Sequence, residues 1–451
     1  MVTREEKDCT RGRAHLLWEM LNGELRPEGW KSAAVKDSLD LCLACKGCKG
    51  DCPVKVDMAT YKAEFLSHYY EGRLRPRYAY SMGLIHVWAR LASWMANVAN
   101  FFSQTPGLCG VVKWLGGIRQ ERRMPPFACE PFKEWFRRRP PRNQDRPAVI
   151  LWPDTFNNCF HPEIAKAAVE VLETSGFQVW VPQADLCCGR PLYDFGMLDT
   201  AQRWLRQILE TLRPQIEAGV PVVGLEPSCV TVFRDELTNL FPHDQDAKRL
   251  HQQSYILSEF LSRHAKDFRV PQLKRKAIVQ GHCHHRSVLG MDDEKALLQK
   301  LGLDFQLLRD TCCGMAGSFG FENAPNHYEV ALASGERELL PAVRSAPKNT
   351  LIIADGFSCQ EQVDQSTDRR PLHLAQVLQM ALHQADRPAT EYPEREYPPQ
   401  QPEPPEERAA RLRKAALIGG GALLAGGLLW WAWRGRRTAE RRIPVRRGLE
   451  A

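Results

Sequence analysis

Between residues 149 and 380, short apolar runs alternate with longer stretches of helical periodicity. AVILW (148–152), VVGLE (222–226), KAIVQ (276–280) and LIIAD (351–355) are apolar at almost every position and are followed by turn-forming residues. A run apolar on both faces predicts a strand covered on both faces. Strands separated by helices predict parallel sheets with covering helices. The pattern occurs twice. One copy runs from AVILWPDTFNNCFHPE through FQVWVPQADLCCGRP to VVGLEPSC, and the other from AIVQGHCHHRS through FQLLRDTCCGMAG to LIIADGFSC. Each places a cysteine after a first strand, a Cys-Cys-Gly after a second and a cysteine after a third. The correspondence pairs Cys159 with Cys283, Cys187–Cys188 with Cys312–Cys313, and Cys229 with Cys359. First cysteine and pair are separated by 28 residues in one copy and 29 in the other. Loops at the carboxyl ends of parallel strands gather into a crevice, so each copy is expected to be an α/β lobe with a cysteine-lined crevice.

The rest of the chain reads differently. Residues 1–75 are polar and helical around a dense cysteine motif. Residues 76–148 are rich in Trp, Phe and Arg, and Tyr78–Phe102 predicts a helix, either a core helix or one lying against a membrane or partner. Residues 386–414 read as a Pro/Glu-rich linker with a basic flank. Residues 415–433, AALIGGGALLAGGLLWWAW, carry no charge over 19 residues and have tryptophans at one end. That pattern predicts a single transmembrane helix, followed by a basic tail over 434–451. Positive charge in the tail argues for its placement in the cytoplasm. The thiols and the lack of an export signal argue that the main domains face the cytoplasm instead, and this second orientation is the one expected.

With 43% hydrophobic and 25% charged residues, most of the chain is expected to fold. Lys and Arg exceed Asp and Glu by 61 to 54, a spread-out excess that gives no reason to expect nucleic acid. Fifteen cysteines, odd in number and tightly grouped, favour metal binding over a disulfide framework.

CLACKGCKGDCP (42–53) is C-x2-C-x2-C-x3-C-P, the spacing of a bacterial iron–sulfur run. Thiolates at short intervals on a tight loop each reach a different iron of one cube, whereas a zinc site usually divides its ligands into separated pairs. Gly47 and Gly50 are expected to let the backbone wrap closely, and Lys46 and Lys49 to offset negative charge. In two-cluster proteins the fourth cysteine, here Cys52, ligates the other cluster. Cys42, Cys45 and Cys48 then need a ligand from a second run, which these residues do not supply. Cys9, Cys109 and Cys129 are isolated. His282, His284 and His285 flank Cys283, either to orient loops or to tune a metal centre. Glu226 and Asp355 hold equivalent places, and loop capping is their expected role.

These segments resemble the iron–sulfur portion of FAD-linked 2-hydroxyacid dehydrogenases, including the iron–sulfur subunits of glycolate oxidase and anaerobic glycerol-3-phosphate dehydrogenase. The resemblance rests on TREEKDCTRGRAHLLWEML, CLACKGCKGDCPVKVDMATYKAEFLSHYY, LWPDTFNNCFHPE, LCCGRPLYDFG, EPSC, HCHHRSV, CCGMAGSFGFE and ADGFSC, and covers about residues 2–380. Family members carry a first cysteine run ending in Cys-Pro-Ser-Tyr just before the Thr-Arg-Glu stretch. The expectation is that the recorded start is late or that another chain supplies those ligands. The Cys-Cys-Gly copies also resemble the heterodisulfide reductase B subunit, where such cysteines hold a non-cubane cluster. That pattern ends in C-x-x-C, reduced here to Cys229 and Cys359.

The expected fold class is α+β multidomain. A helical ferredoxin-like segment (1–75) and a connector (76–148) precede Cys-Cys-Gly lobes at 149–260 and 261–385, the linker (386–414), the transmembrane helix (415–433) and the tail (434–451). The expected metal ligands are Cys42, Cys45, Cys48 and Cys52, which also bind the 4Fe–4S cofactor, together with Cys159, Cys187, Cys188, Cys229, Cys283, Cys312, Cys313 and Cys359 for a further cluster, cubane or non-cubane. No catalytic residue is assigned. The resemblance implies an electron-transfer component, taking electrons from a FAD-binding dehydrogenase subunit or domain and passing them toward quinone or another carrier, and the apolar run at 415–433 adds an inner-membrane placement. FAD is expected on the partner or on a missing upstream domain, not on this chain, which makes the chain an oxidoreductase subunit rather than a complete enzyme, and membrane lipid is expected around the anchor. The alternatives are a heterodisulfide-reductase-like thiol–disulfide subunit and a defective or structural membrane scaffold.

Overall fold

The computed structural model describes residues 2–24, 28–308, 312–384 and 390–397. Two parallel sheets organise it. The first holds β1 (Ala148–Leu151), β2 (Gln178–Trp180), β3 (Val222–Gly224) and β4 (Ser254–Ile256) in the order β2-β1-β3-β4. The second holds β5 (Lys276–Gln280), β6 (Asp304–Leu308) and β7 (Leu351–Ala354) in the order β6-β5-β7. Every pairing is parallel. In each sheet the first strand of the repeat lies in the middle, with the second and third on either side, so the sequence repeat is also a repeat of topology. β4 has no counterpart in the second sheet. Its three residues, Ser-Tyr-Ile, are too few and too polar at the start to stand out as an apolar run.

Alternation along the strands divides the core. Val149 and Leu151 of β1 join Ala277 and Val279 of β5 and Leu351 and Ile353 of β7 in one apolar cluster common to both sheets. The helices Pro162–Thr174 and Leu374–Gln384 pack together. The opposite faces serve separate cores. Ile150 and Trp152 meet Cys188, Cys229 and Phe233, while Ile278 and Ile352 meet Cys313 and Cys359. The cysteine loops are thus held from below by packed apolar side chains.

Residues 2–24 and 28–75 are built mainly of short helices. Cys9 caps the helix Thr10–Leu21 by accepting from Gly12 N–H, and Asp57 caps Met58–Tyr69 by accepting from Thr60 N–H at 3.1 Å. The stretch read as one helix over Tyr78–Phe102 is instead divided among Arg77–Gly83, Ile85–Trp94 and Ala96–Gln104. It is not a core element: Trp94 is 90% exposed, and Trp88, Leu91, Phe101 and Phe102 also face outward.

Part of the stretch read as a linker is docked onto the second lobe. Glu394 is buried against Arg369 at 2.6 Å, and the Tyr397 hydroxyl donates to Gln376 O. The apolar run 415–433 lies outside the described residues. Among the described residues no helix is long and apolar enough to cross a membrane. The fold class is corrected accordingly to an α+β chain with Cys-Cys-Gly lobes and, among the described residues, no transmembrane element. The inner-membrane placement and its orientation are withdrawn with that helix.

Candidate metal centre

The N-terminal cysteine run is bent by residues other than its glycines. Ala44 (φ 47°) and Lys46 (φ 57°) take the left-handed conformation on either side of Cys45, a strained backbone of the kind found where a functional loop is held from outside. Gly47 and Gly50 instead belong to the short helix Gly47–Asp51. At Gly50 an added Cβ would make ordinary contact with the backbone of Ser287, 3.4 Å away.

Both lobes hold this bend. The Ala44 carbonyl accepts from His284 Nε2 at 3.0 Å and from Arg190 Nη2 at 3.2 Å. Those donors stand beside Cys283 and the first Cys-Cys-Gly. Lys46 is buried and donates to Asp57 (2.8 Å) and Asp235 (2.6 Å), with Glu236 at 2.9 Å. Arg190 also pairs with Glu236. The Lys46 charge is thus spent on three carboxylates, which corrects its expected role of offsetting cluster charge: it anchors the run to the first lobe. Burial pushes the Asp57 carboxyl up, but the Lys46 charge and hydrogen bond outweigh this and bring it to about 2.

The second-lobe cysteines converge. Cys283 Sγ lies 3.6 Å from Cys312 Sγ, and Cys313 interacts with both Cys312 and Cys359. Cys45 joins them from the N-terminal run. Burial first, and the neighbouring Cys283 next, push its thiol up to about 12. In the first lobe Cys188 Sγ is 3.0 Å from Cys229 Sγ, with Cys187 alongside. Cys159 stands apart. Its sulfur accepts from Asn158 Nδ2 at 3.3 Å, and it does not line the cavity that the other three share. Cys52 ends the short helix, where N–H groups of Val56, Val54 and Lys55 pull its thiol down.

The cavity, about 150 Å³, opens between the cysteine loops of the two lobes. Cys45, Cys187, Cys188, Cys229, Cys283 and Cys313 reach it. Phe156 and Phe357 stack across it from the two lobes, their centroids 4.4 Å apart. Glu226 also joins the lobes, accepting from Ser228 N–H and, through its other oxygen, from Phe357 N–H at 2.8 Å. Asp355 accepts from Leu374 N–H at 2.8 Å. Both carboxylates therefore cap loops. Sequence reasoning did not find the clamp made by Arg190, Asp235 and Glu236, because nothing local marks residues 190 and 235 as neighbours of residue 46.

The glycine of each Cys-Cys-Gly has a positive φ, 78° at Gly189 and 83° at Gly314, where only glycine avoids strain. At Gly314 an added Cβ would fall 1.9 Å from the carbonyl oxygen of Ala331; at Gly189 the nearest atom is 3.4 Å away. Gly189→Ala is therefore expected to cost roughly 1–2 kcal/mol. Gly314→Ala, which adds a backbone clash, should exceed that and approach about 4 kcal/mol. Thermal unfolding of the two variants side by side gives the comparison.

Clustered thiols on loops at strand ends, in two topologically matched lobes, define a cysteine-rich redox protein. The Cysteine-rich domain (CCG) family matches residues 154–234. Lactate utilization protein A of Bacillus subtilis (strain 168) is 33% identical over 245 residues, which is 51% of this chain and 98% of that protein. The C subunit of anaerobic glycerol-3-phosphate dehydrogenase of Escherichia coli (strain K12) is 26% identical over 273 residues, 59% of this chain and 67% of that protein. D-2-hydroxyglutarate dehydrogenase of Pantoea ananatis (strain AJ13355) is 24% identical over 363 residues, 77% of this chain but 34% of that protein, so the chain spans about a third of that relative's length. The chain belongs to the family of CCG-domain, iron–sulfur-type proteins that includes lactate utilization protein A and the C subunit of anaerobic glycerol-3-phosphate dehydrogenase.

Proposed function

We propose that this chain is the iron–sulfur electron-transfer component of a FAD-linked 2-hydroxyacid dehydrogenase system, with the flavin on a partner protein or domain. The observation that carries the reading is the shared cavity, which Cys45 of the N-terminal run and Cys283 of the second lobe both line, with Cys283 Sγ 3.6 Å from Cys312 Sγ. Cys42, Cys45 and Cys48 would hold a 4Fe–4S cluster, and Cys52 a ligand position of another. Cys283, Cys312, Cys313 and Cys359 would hold a centre in the second lobe, and Cys187, Cys188 and Cys229 one in the first, with Cys159 its weakest candidate. Such clusters exchange single electrons and so connect a two-electron flavin to a carrier.

The chain's own residues set the conditions. Burial keeps the Cys45 thiol protonated without metal, so loading releases a proton there. Lys46, Arg190 and His284 fix the loop, and Phe156 and Phe357 limit water. The outward apolar face over residues 85–116 is the kind of surface that takes a partner. The donor class is a 2-hydroxyacid or related alcohol, and the acceptor a quinone or another carrier. The domain limits at 75, 148, 260 and 385 remain part of this proposal.

A second reading, reduction of a disulfide substrate, is favoured by one observation: thiols of both lobes face a single cavity. Redox titration followed by electron spin resonance tests the first reading. Turnover of a mixed disulfide without a flavoprotein would favour the second.

A further inference from the structure

One buried group of ligand-type side chains contains no cysteine. His285, Glu294 and Asp355 are 1%, 2% and 4% exposed. They come from three places: the π-helical turn His285–Leu289, the first turn of the helix Asp292–Lys300, and the residue after β7. One ligand atom from each lies within 4.8 Å of the other two, and His285 Nδ1 is 3.3 Å from Glu294 Oε2.

The group is under-satisfied. Glu294 Oε2 and Asp355 Oδ2 are buried without a hydrogen-bond donor, and the two carboxyls face each other. Among the described residues the ion-pair partners of these two carboxyls are both histidines, His285 for Glu294 and His373 for Asp355 at 3.7 Å. His373 Nε2 also meets Leu225 O at 3.1 Å. Two carboxyls shut away from water, with no lysine or arginine among the described residues to neutralise them, are costly unless one is protonated, and a bound cation removes that cost.

The donor set selects the cation. One imidazole nitrogen and two carboxylate oxygens suit zinc, whose bonds of about 2.0–2.2 Å give a tetrahedron with edges of roughly 3.4 Å. The observed 3.3 Å between His285 and Glu294 fits such an edge. Calcium would need six to eight oxygens, and magnesium usually keeps several waters. We propose that His285, Glu294 and Asp355 bind one divalent cation of the zinc class, a structural site separate from the cysteine sites. His285 lies two residues after Cys283, and Asp355 four before Cys359. The cation would therefore tie together two loops that carry second-lobe thiols.

The test uses the full chain, purified anaerobically, incubated with zinc salt and passed through a desalting column, with zinc and iron counted separately. Wild type and Cys312→Ser should each retain one zinc per chain. Glu294→Gln should lose it, with affinity falling at least about tenfold. Asp355→Asn keeps an acceptor for Leu374 N–H and guards against a folding defect in the first variant; it should lose zinc too. Cobalt in place of zinc should give a visible spectrum without thiolate-to-cobalt charge transfer. Zinc that stays in Glu294→Gln but leaves in Cys312→Ser would overturn the proposal, because it would place the metal on thiols. So would a wild-type chain that takes up no zinc, or a Glu294→Gln chain that melts no lower than wild type with zinc present; either would mark a carboxyl pair sharing a proton.

Discussion

Replacing Lys46 with glutamine is expected to cost about 3–5 kcal/mol of folding stability, the range seen when one partner of a buried ion pair is removed. Among the described residues, Asp57, Asp235 and Glu236 would be left with Arg190 and Lys49 as their cations. The pH dependence gives a signature that a simple packing defect would not. Asp57 sits at about 2 in the folded protein, below its ordinary value of 3.8. A carboxyl depressed on folding contributes stability that is fully present above its unfolded pKa and lost as pH falls through the folded value. The advantage of wild type over Lys46→Gln should therefore hold above about pH 4 and shrink between about pH 4 and pH 2. Urea midpoints of the two metal-free chains at about pH 7, 4 and 2.5 measure it. An equal gap at all three would show that the carboxylates do not depend on Lys46.

The second large effect separates cysteines that the sequence makes equivalent. Cys159 and Cys283 occupy the same place in the repeat. Cys283 is within 3.6 Å of Cys312, whereas Cys159 is turned onto Asn158. Cys313→Ser and Cys283→Ser should remove the iron of the second-lobe centre. Electron delivery should fall by more than roughly 10–100-fold, the loss that follows removal of even an outer partner of a metal site. Cys159→Ser should leave the iron content of the first lobe near wild type. Iron counting and the rate of cluster reduction by the reduced flavoprotein measure both. Equal losses at 159 and 283 would restore the symmetry of the repeat.

Much of the lobes could be read from the chain because their strands are covered on both faces. Val149–Leu151 and Leu351–Ala354 are apolar at every position, and such runs have few alternatives. The cysteine groups were legible because their order and spacing recur. What escaped depends on distant pairing. The Ala44 carbonyl meets Arg190 and His284 across 146 and 240 residues of chain, and no local pattern encodes that. Composition points to Gly47 and Gly50 for the bend around Cys45, yet Ala44 and Lys46 make it, because the clamp supports a strain that glycine would have avoided. The cluster of His285, Glu294 and Asp355 is hidden similarly: Asp355 comes from a strand end 61 residues beyond Glu294. The apolar run at 415–433 reads as a membrane span from its length, its lack of charge and its terminal tryptophans, but it lies outside the described residues, among which no helix is long and apolar enough to cross a membrane.

The proposed function has electrons pass between the N-terminal run and the second lobe across the cavity that Cys45 and Cys283 both line. Electron spin resonance during stepwise reduction of the anaerobically purified full chain tests it most directly. The expected result is at least two iron–sulfur signals that broaden one another when both centres are reduced, with the interaction lost in Cys283→Ser while the signal of the Cys42–Cys48 centre remains. A chain that holds no iron after anaerobic reconstitution, or holds two centres whose signals are independent in wild type, would contradict it.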